Sequence, residues 1–548
     1  MNQQNQMKSI RRWVGNRKSL RTGTTAFKEA VANVGRPVYV VGQNGETAVT
    51  HSGTMMWGDL LESADPGEAL HGFAPALLPG DLGDAGLKKD LGIRYAYVLG
   101  AMANGITSVE MVQAAGRTGM IGFFGAGGLS IQQVEKAINY LSVDQGAFPY
   151  GFNLIHSPHD PQLETAVVDT YLNRGIRLIE ASAYMALTLP LVYFRVKGLH
   201  QSPDGRIVCP SRVVAKVSRV EVASRFFAPP PAKMITELVR QGKITEKEAK
   251  LAEHIPMAQD ITAEADSGGH TDNRPALTML PTFLALRDDC MRQYNFPVPL
   301  RVGLGGGIAT PEAAAAAFAM GAAYVLTGSI NQACVEADTS DAVRALLAQA
   351  AQADVAMAPA ADMFEMGVKV QVLKRGTMFA MRAAKLYELY RAHEDYLQIP
   401  EQVRTMVERD MLQGSYEAAW EQTRAFFAER DPSQIQRAEK DPRYKMALVF
   451  RSYLGQSSRW AKTGDPKRKM DYQIWCGPAM GAFNAWVKGS FLEKAENRLV
   501  ATIGLNLLYG AAGIIRCSWL RYQGVSVPPQ AAVFRPLTTE EIEQRLKC

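Results

Sequence analysis

Short apolar runs that end in glycine or a small residue alternate with amphipathic segments between about residue 90 and residue 335. The runs are rich in β-branched and aromatic residues, which predicts buried strands, each followed by a helix. Eight strands are predicted, at 95–99, 120–124, 150–155, 178–181, 213–217, 261–265, 300–303 and 323–326. Eight strands alternating with helices predict an α/β protein with a (β/α)8 TIM barrel.

An open doubly wound sheet is the competing class for the same pattern. The positions of the glycines favour the barrel. Glycine turns follow the seventh and eighth strands, where barrel enzymes bind phosphate, and no GxGxxG follows the first strand.

Helix signals support the same alternation. Ser130 is a predicted N-cap for a helix at 131–140, and Thr310-Pro311 is predicted to start a helix at 313–320. A charged helical pair is predicted between the fifth and sixth strands, at about 229–255. This insertion is longer than a usual connection in a barrel. We expect this insertion to form a lid over the site or a surface that contacts a partner protein. A peripheral addition to the barrel is the alternative.

The flanking regions differ from the barrel pattern. We expect a mixed N-terminal segment at 1–85, the barrel at 86–380, and an α-helical C-terminal appendage at 381–548. The apolar run 499–515 contains Thr502 and Asn506 and is short for a membrane span. It predicts a buried helix.

Composition fits an ordinary soluble enzyme, with 47% hydrophobic and 21% charged residues in 548. The formal net charge of +6 is mild for this length, and we expect neither nucleic acid nor a membrane as partner. Three short basic patches are surface charge or docking sites for an acidic protein: 11–12, 88–89 and 467–469. The six cysteines have no paired spacing, which indicates reduced thiols and a cytoplasmic protein.

The glycine turns after the last two strands predict a phosphate site. Gly305, Gly306 and Gly307 follow the seventh strand, and Gly328 with Ser329 follows the eighth. Glycine lets backbone N–H groups approach a phosphate, and the helix N-terminus at 310–312 would add partial positive charge. Plain turns are the alternative interpretation.

His270 is the candidate catalytic residue. It follows Gly268-Gly269 just after the sixth strand, so a planar ligand could come close to the imidazole. Glu264 and Asp266 flank the same strand end, and one of them could orient the histidine or bind ribityl hydroxyls. A structural histidine and solvated carboxylates remain the alternatives.

Other strand ends offer candidate contacts to the same ligand. Gly100, Ala101 and Met102 present small side chains and backbone donors that could cover one face of a flat ring. Asn153 could bond polar ring edges, and Lys216 could contact a phosphate or a ring carbonyl. Each could instead be an ordinary turn or rim residue.

Other well-known sites are absent from the sequence. It contains no GxSxG nucleophile elbow, HExxH motif, Walker loop or zinc-ligand spacing. We therefore expect no metal and no acyltransferase chemistry.

Several motifs together resemble the FMN-dependent barrels of the nitronate monooxygenase and FabK-type enoyl reductase group. They are GAMAN at 100–104, GFFGAGG at 122–128, GFNLI at 151–155, EADSGGH at 264–270, GLGGGI at 303–308 and LTGSI at 326–330. The monooxygenase branch usually has EAGGH where this chain has the longer EADSGGH. The run at 354–390, AKVSR at 215–219 and the helical C-terminus are similar to the PfaD type of stand-alone enoyl reductase.

The resemblance implies FMN held by the two glycine turns, with its ring against GAMAN and Asn153. It implies NADPH or NADH as reductant and an enoyl thioester on an acyl carrier protein of a polyketide or polyunsaturated fatty acid synthase as substrate. His270 matches the histidine of the family motif, and a homodimer is expected from the family alone. A nitronate-oxidising flavoprotein, a flavin-free scaffold and a barrel that binds a phosphorylated metabolite are the rival hypotheses.

Overall fold

Eight parallel strands close into a barrel in the order in which they follow one another along the chain. The computed structural model describes residues 11–43, 45–57, 67–143, 147–157 and 161–547. The strands are β1 Tyr97–Leu99, β2 Ile121–Phe124, β3 Tyr150–Ile155, β4 Leu178–Ser182, β5 Arg212–Val217, β6 Asp260–Glu264, β7 Arg301–Gly305 and β8 Val325–Thr327. The predicted barrel is therefore confirmed, and each strand lies within two residues of its predicted bounds.

Helices follow the strands and cover the barrel. They are Val109–Arg117, Ile131–Ser142, Pro161–Asn173, Leu189–Val196, Val220–Phe227, Ala276–Tyr294, Pro311–Ala319, Ser329–Gln332 and Asp341–Ala348. Both predicted caps are confirmed, since the Ser130 side chain accepts from the Gln133 N–H and the Thr310 side chain from the Ala313 N–H. Two further helices, Ala232–Arg240 and Glu246–Ala252, lie between β5 and β6, where the sequence predicts an insertion.

The N-terminal segment forms an antiparallel sheet of its own, preceded in the chain by residues outside the described ranges. Its strands, in spatial order, are Arg21–Thr22, Glu46–Thr50, Val38–Gln43, Glu68–Ala74, Arg11–Val14 and Thr54–Trp57. A helix, Thr24–Ala32, packs against this sheet and against the C-terminal part of the chain. Asn44, between the strands Val38–Gln43 and Glu46–Thr50, lies outside the described residues.

A small antiparallel sheet lies beyond the barrel. It joins Gly269–His270 to Lys369–Leu373, which pairs in turn with Val355–Pro359. A two-stranded ribbon, His200–Gln201 with Ile207–Val208, follows the helix after β4. Strand Gly269–His270 begins five residues after β6 ends, so this sheet holds the loop that carries the candidate histidine.

The C-terminal region is helical, as predicted. Its helices are Phe379–Ala392, Glu401–Met406, Tyr416–Arg430, Pro432–Lys440, Pro442–Thr463, Ala479–Val487, Val500–Tyr522 and Thr539–Lys547, with a π-helical turn at Val407–Leu412 and short 3₁₀ turns between them. The helices between residues 379 and 454 supply most of a second hydrophobic cluster. Ala479–Val487, Val500–Tyr522 and Thr539–Lys547 belong instead to the cluster that contains the barrel core. A segment of this region, at 475–479, reaches the carboxyl edge of the barrel strands and the site described below.

The apolar C-terminal run forms a buried helix, Val500–Tyr522, which confirms the prediction for 499–515. Its length and hydropathy would suit a membrane span, but 83% of its most apolar window is buried inside the protein. It packs against Pro311–Ala319, where the Cβ of any larger residue at Gly510 would lie 2.6 Å from Pro311 Cβ. The helix therefore belongs to the core.

The cysteines form no disulfide among the residues that the structure describes. Cys209, Cys290, Cys334, Cys476 and Cys517 are free thiols, and all except Cys209 are buried. This agrees with the absence of paired cysteine spacing in the sequence.

Candidate active site

A cleft opens at the carboxyl edge of the barrel. Its walls come from the ends of β1, β5, β6, β7 and β8 and from a segment of the C-terminal region. Ten of the thirteen candidate residues line it, namely Gly100, Ala101, Met102, Lys216, Glu264, Gly305, Gly306, Gly307, Gly328 and Ser329. Asn153, Asp266 and His270 do not line it.

The two glycine turns form one end of the cleft. Gly306 and Gly307 have positive φ angles of 85° and 77°, a region in which other residues are strained. Apart from the adjacent residues in the chain, no residue has an atom within 4 Å of the position that a Cβ would take on Gly307 or Gly328. A side chain at either position would project into the cleft, so the glycines keep this end open.

A short helix begins at the second glycine turn. Gly328 precedes Ser329–Gln332, and its carbonyl oxygen accepts from the Asn331 and Gln332 N–H groups. Gly328, Ser329 and Ile330 all line the cleft, so this helix begins beside it. Thr310 and Pro311, at the start of the helix after the first glycine turn, do not line the cleft, and Pro311 packs against the C-terminal helix. A contribution of positive charge from this helix to the phosphate site stays a prediction.

Lys216 lies between two carboxylates at the bottom of the cleft. Its Nζ is 3.8 Å from Glu180 Oε2 and 3.7 Å from Glu264 Oε1. Burial opposes the charged ammonium, but the two carboxylates outweigh it and raise the pKa of Lys216. Burial also raises the pKa of Glu180, whose side chain is 0% exposed. The site thus holds one ammonium and two carboxyl groups with little access to water.

The floor formed by Gly100, Ala101 and Met102 differs from expectation in one respect. The sequence predicts free backbone donors here, yet these N–H groups are already bonded. The Gly100 N–H donates to the Thr327 carbonyl, the Ala101 N–H to Glu180 Oε2 and the Met102 N–H to Thr107 Oγ1. The floor can therefore present a surface of small side chains to a ligand. Its amides are not free to bind that ligand, because they hold the turn at 100–102 in place.

A segment of the C-terminal region closes the cleft from above. Trp475 and Ala479 line it, and the Gly477 N–H donates to Ser329 Oγ at 3.0 Å. A Cβ on Gly268 would lie 2.8 Å from the Cys476 nitrogen, and one on Gly477 would lie 2.9 Å from the Gly268 nitrogen. These glycines allow two backbones to touch, which attaches the helical region directly to the loop after β6.

His270 lies next to the cleft and pairs with a carboxylate from the small sheet. Its Nε2 is 3.1 Å from Asp362 Oδ1, and the two side chains are 34% and 44% exposed. Burial lowers the pKa of His270, but the hydrogen bond and charge of Asp362 outweigh it, so the net pKa is raised. The same contact lowers the pKa of Asp362 against the effect of burial.

The two acidic residues beside the histidine do not orient it. Asp266 Oδ1 accepts from Asn273 Nδ2 and Gln371 Nε2, both at 2.8 Å, and so ties the loop to the small sheet. Glu264 bonds Ser267 Oγ and faces Lys216. The orienting role expected of one of these residues belongs to Asp362.

Asn153 is buried inside the barrel. Its Nδ2 donates to the Glu180 carbonyl at 3.0 Å and to Ser182 Oγ at 2.9 Å. These bonds brace β3 against β4. The Asn153 side chain thus supports the strands below the cleft, but it does not line the cleft itself.

Three residues of this site were not predicted from the sequence, namely Glu180, Asp362 and Trp475. Glu180 carries a signal, since it is a lone carboxylate in an otherwise apolar strand. Asp362 and Trp475 carry none, because they lie far along the chain from the residues they meet. Only the packed fold brings them to the cleft.

The basic patches are largely used inside the protein. Arg12 donates to the Gly67 carbonyl, Lys88 to the Leu82 carbonyl, and Arg468 pairs with Asp471 at 3.1 Å. In each patch, one basic side chain therefore bonds to the protein itself. This favours ordinary surface charge over a docking site for an acidic protein as the interpretation of the patches.

Two family models match the chain. The model described as nitronate monooxygenase matches residues 86–414. The model described as acyl-carrier-protein S-malonyltransferase, inserted helical domain, matches residues 393–472. The first covers the barrel and the barrel residues that line the cleft. The second covers helices of the predicted C-terminal appendage.

Two curated proteins and one solved structure are similar over most of the chain. A polyunsaturated fatty acid synthase component of Thraustochytrium sp. is 45% identical over 81% of this chain and 30% of its own length. Polyketide biosynthesis protein PksE of Bacillus subtilis is 46% identical over 79% of this chain and 56% of its own length. The enoyl reductase domain of MlnA, from the macrolactin biosynthesis cluster of Bacillus amyloliquefaciens, is 40% identical. That match covers 81% of this chain and 98% of the domain, with a TM-score of 0.76.

These matches confirm the resemblance on which the sequence analysis relied. The chain spans 24% to 56% of the length of four curated relatives that it matches. It is therefore similar to one part of each of them.

Proposed function

We propose that this chain, which belongs to the nitronate monooxygenase family, is a trans-acting FMN-dependent enoyl reductase. Its substrate would be a 2-enoyl thioester carried by an acyl carrier protein of a polyketide or polyunsaturated fatty acid synthase. NADPH or NADH would be the reductant. Membership of the family implies a flavin cofactor, and its identity as FMN is part of the proposal.

One observation carries this proposal above the others. The chain is 40% identical to an enoyl reductase domain that it covers almost completely, with a TM-score of 0.76. The match extends beyond the barrel into the helical region that closes the cleft. An activity that depends on this cleft is therefore better supported than one that depends on the barrel alone.

The residues of the cleft fit a phosphorylated flavin. Gly307 and Gly328 leave open the space that side chains would fill, and the short helix at Ser329 begins beside them. Backbone amides and the Ser329 hydroxyl would hold the phosphate there. The chemistry that bound FMN would supply is hydride transfer, from the nicotinamide donor to the flavin and on to the β-carbon of the enoyl thioester.

Residues of the chain would provide the proton and the surroundings. Asp362 holds Nε2 of His270, so the proton for the substrate α-carbon would come from Nδ1 of the imidazolium. The charged Lys216 would orient polar ring atoms from below. Trp475 would exclude water from above.

The direct test measures oxidation of NADPH by the purified protein with 2-enoyl thioesters, one on an acyl carrier protein and one on pantetheine. We expect turnover with both and release of FMN when the protein is denatured. No turnover with either thioester rejects the proposal.

The rival functions give other results in the same assays. Oxygen uptake with an alkyl nitronate and no enoyl turnover indicates a nitronate monooxygenase. A colourless protein that binds no FMN indicates a scaffold or a barrel for a phosphorylated metabolite, and binding of sugar phosphates separates these two.

The pH dependence tests His270 as proton donor. Since a donor works only when protonated, kcat/KM should be high below the raised pKa of His270 and fall as the pH rises through it. Asp362→Asn removes the interaction that raises this pKa, while burial still lowers it. The alkaline limb should move to lower pH, and kcat/KM at pH 8 should fall about tenfold or more.

The exposed Asp341→Asn is the control, since it neutralises an aspartate that pairs with Arg344 and does not line the cleft. It should leave the profile unchanged. An alkaline limb that stays in place in Asp362→Asn would exclude His270 as the donor.

A further inference from the structure

Glu180 braces the floor of the cleft from inside the barrel. Its Oε2 accepts from the Ala101 N–H at 3.0 Å and lies 3.8 Å from Lys216 Nζ, while its carbonyl accepts from Asn153 Nδ2. These contacts connect β4 with the end of β1, with β5 and with β3. Glu180 is therefore bonded directly to residues that line the cleft, although it does not line the cleft itself.

One oxygen of this carboxylate has no visible function. Oε1 is buried and has no hydrogen-bond partner among the described residues. An unpartnered buried carboxylate oxygen is costly, and an uncharged side chain would avoid much of that cost. A role for the negative charge itself would explain why a glutamate occupies this position.

The charges around Lys216 do not balance. Glu180 and Glu264 surround a single ammonium, so one negative charge is in excess below the cleft when both carboxyl groups are ionised. Glu264 is 17% exposed, whereas Glu180 is 0% exposed. Water screens a buried charge less, so the charge of Glu180 reaches a group in the cleft with less screening than that of Glu264.

We propose that Glu180 is a positioning residue whose charge lowers the reduction potential of the flavin bound in the cleft. The inference rests on the proposed function. Reduction takes up two electrons and one proton and leaves the ring with one negative charge. A carboxylate fixed below Ala101 and Lys216 disfavours that added charge and so favours passing the hydride on to the substrate.

The test compares the wild type with Glu180→Gln, which keeps the shape and can still accept from the Ala101 N–H. Both proteins are loaded with FMN and titrated anaerobically with dithionite beside a reference dye. At the same solution potential, as reported by the dye, the ratio of reduced to oxidised flavin should be about tenfold higher in Glu180→Gln than in the wild type. For a two-electron couple this corresponds to a potential about 30 mV higher.

Glu264→Gln is the matched control. It also removes one carboxylate from Lys216, but from a position that water screens and that makes no contact with Ala101. Its ratio should change clearly less than that of Glu180→Gln. Circular dichroism and FMN stoichiometry must match the wild type, and Glu180→Asp, which retains the charge, should restore the low potential.

The outcomes separate this inference from the proposed function. A wild type that binds no flavin rejects both. A wild type with flavin, and an unchanged or lowered potential in Glu180→Gln, rejects only the role of Glu180. Equal shifts in Glu180→Gln and Glu264→Gln would show that burial of Glu180 has no special effect, which also overturns it.

Discussion

Gly328→Leu should purify without flavin and lose enoyl reductase activity. Apart from the adjacent residues in the chain, no residue has an atom within 4 Å of the Cβ position on Gly328, and its φ of −134° is outside the left-handed region. The leucine can therefore be accommodated by the fold, but it occupies the space proposed for the phosphate. Gly307→Leu would be a poorer variant, because its positive φ adds backbone strain.

The effect on FMN affinity should be large. Loss of two charge-assisted hydrogen bonds to the phosphate costs about 3 kcal/mol, which raises the Kd for FMN about a hundredfold. Quenching of FMN fluorescence on titration with apoprotein measures this Kd directly. Activity at saturating FMN then shows whether the variant still works when loaded.

Gly414→Leu is the matched control for this variant. Gly414 is exposed, also has open space at its Cβ position, and lies outside the cleft. It should bind FMN as the wild type does. Wild-type affinity in Gly328→Leu would place the phosphate elsewhere and contradict the proposed mode of binding.

Lys216→Met should destabilise the apoprotein by about 3 kcal/mol, because it leaves two carboxyl groups without their common counter-charge in a buried site. The free energy of unfolding, or the midpoint in urea, measures the loss without interference from the cofactor. The double variant Lys216→Met/Glu180→Gln should recover part of the lost stability, since it also removes one of the two carboxylates that lack a counter-charge.

The loss in Lys216→Met should depend on pH with a defined sign. Burial already raises the pKa of Glu180 in the folded protein, and removal of the ammonium raises it further. A raised carboxyl pKa costs stability above that pKa, and the cost disappears as the pH falls towards the unfolded value. The difference between variant and wild type should therefore shrink on acidification.

Lys136→Met serves as the comparison, since Lys136 is exposed on the helix after β2. It should change stability by no more than about 0.5 kcal/mol. An equally small change in Lys216→Met would mean that water reaches the two glutamates and that their charges are not held apart from solvent.

The amino-acid sequence was sufficient to predict the barrel and most of the cleft. Strand patterns, glycine turns and helix caps depend on neighbouring residues, so the eight strands and the turns at Gly305–Gly307 and Gly328 could be located by inspection. Because the ends of parallel strands meet at one edge of a barrel, those turns could also be expected to lie together.

Contacts between distant parts of the chain could not be predicted in this way. Asp362 meets His270 across 92 positions, and Gly477 meets Ser329 across 148. The amides of Gly100–Met102 looked free in the sequence, but tertiary hydrogen bonds occupy them.

The sequence by itself therefore determined the barrel, the order of its strands and the glycine end of the cleft, because local patterns of hydrophobicity and backbone freedom encode them. Only the tertiary structure decided what closes the cleft, what orients His270 and which charges surround Lys216. Those features arise where separate segments pack together, and burial then sets how strongly each charge acts.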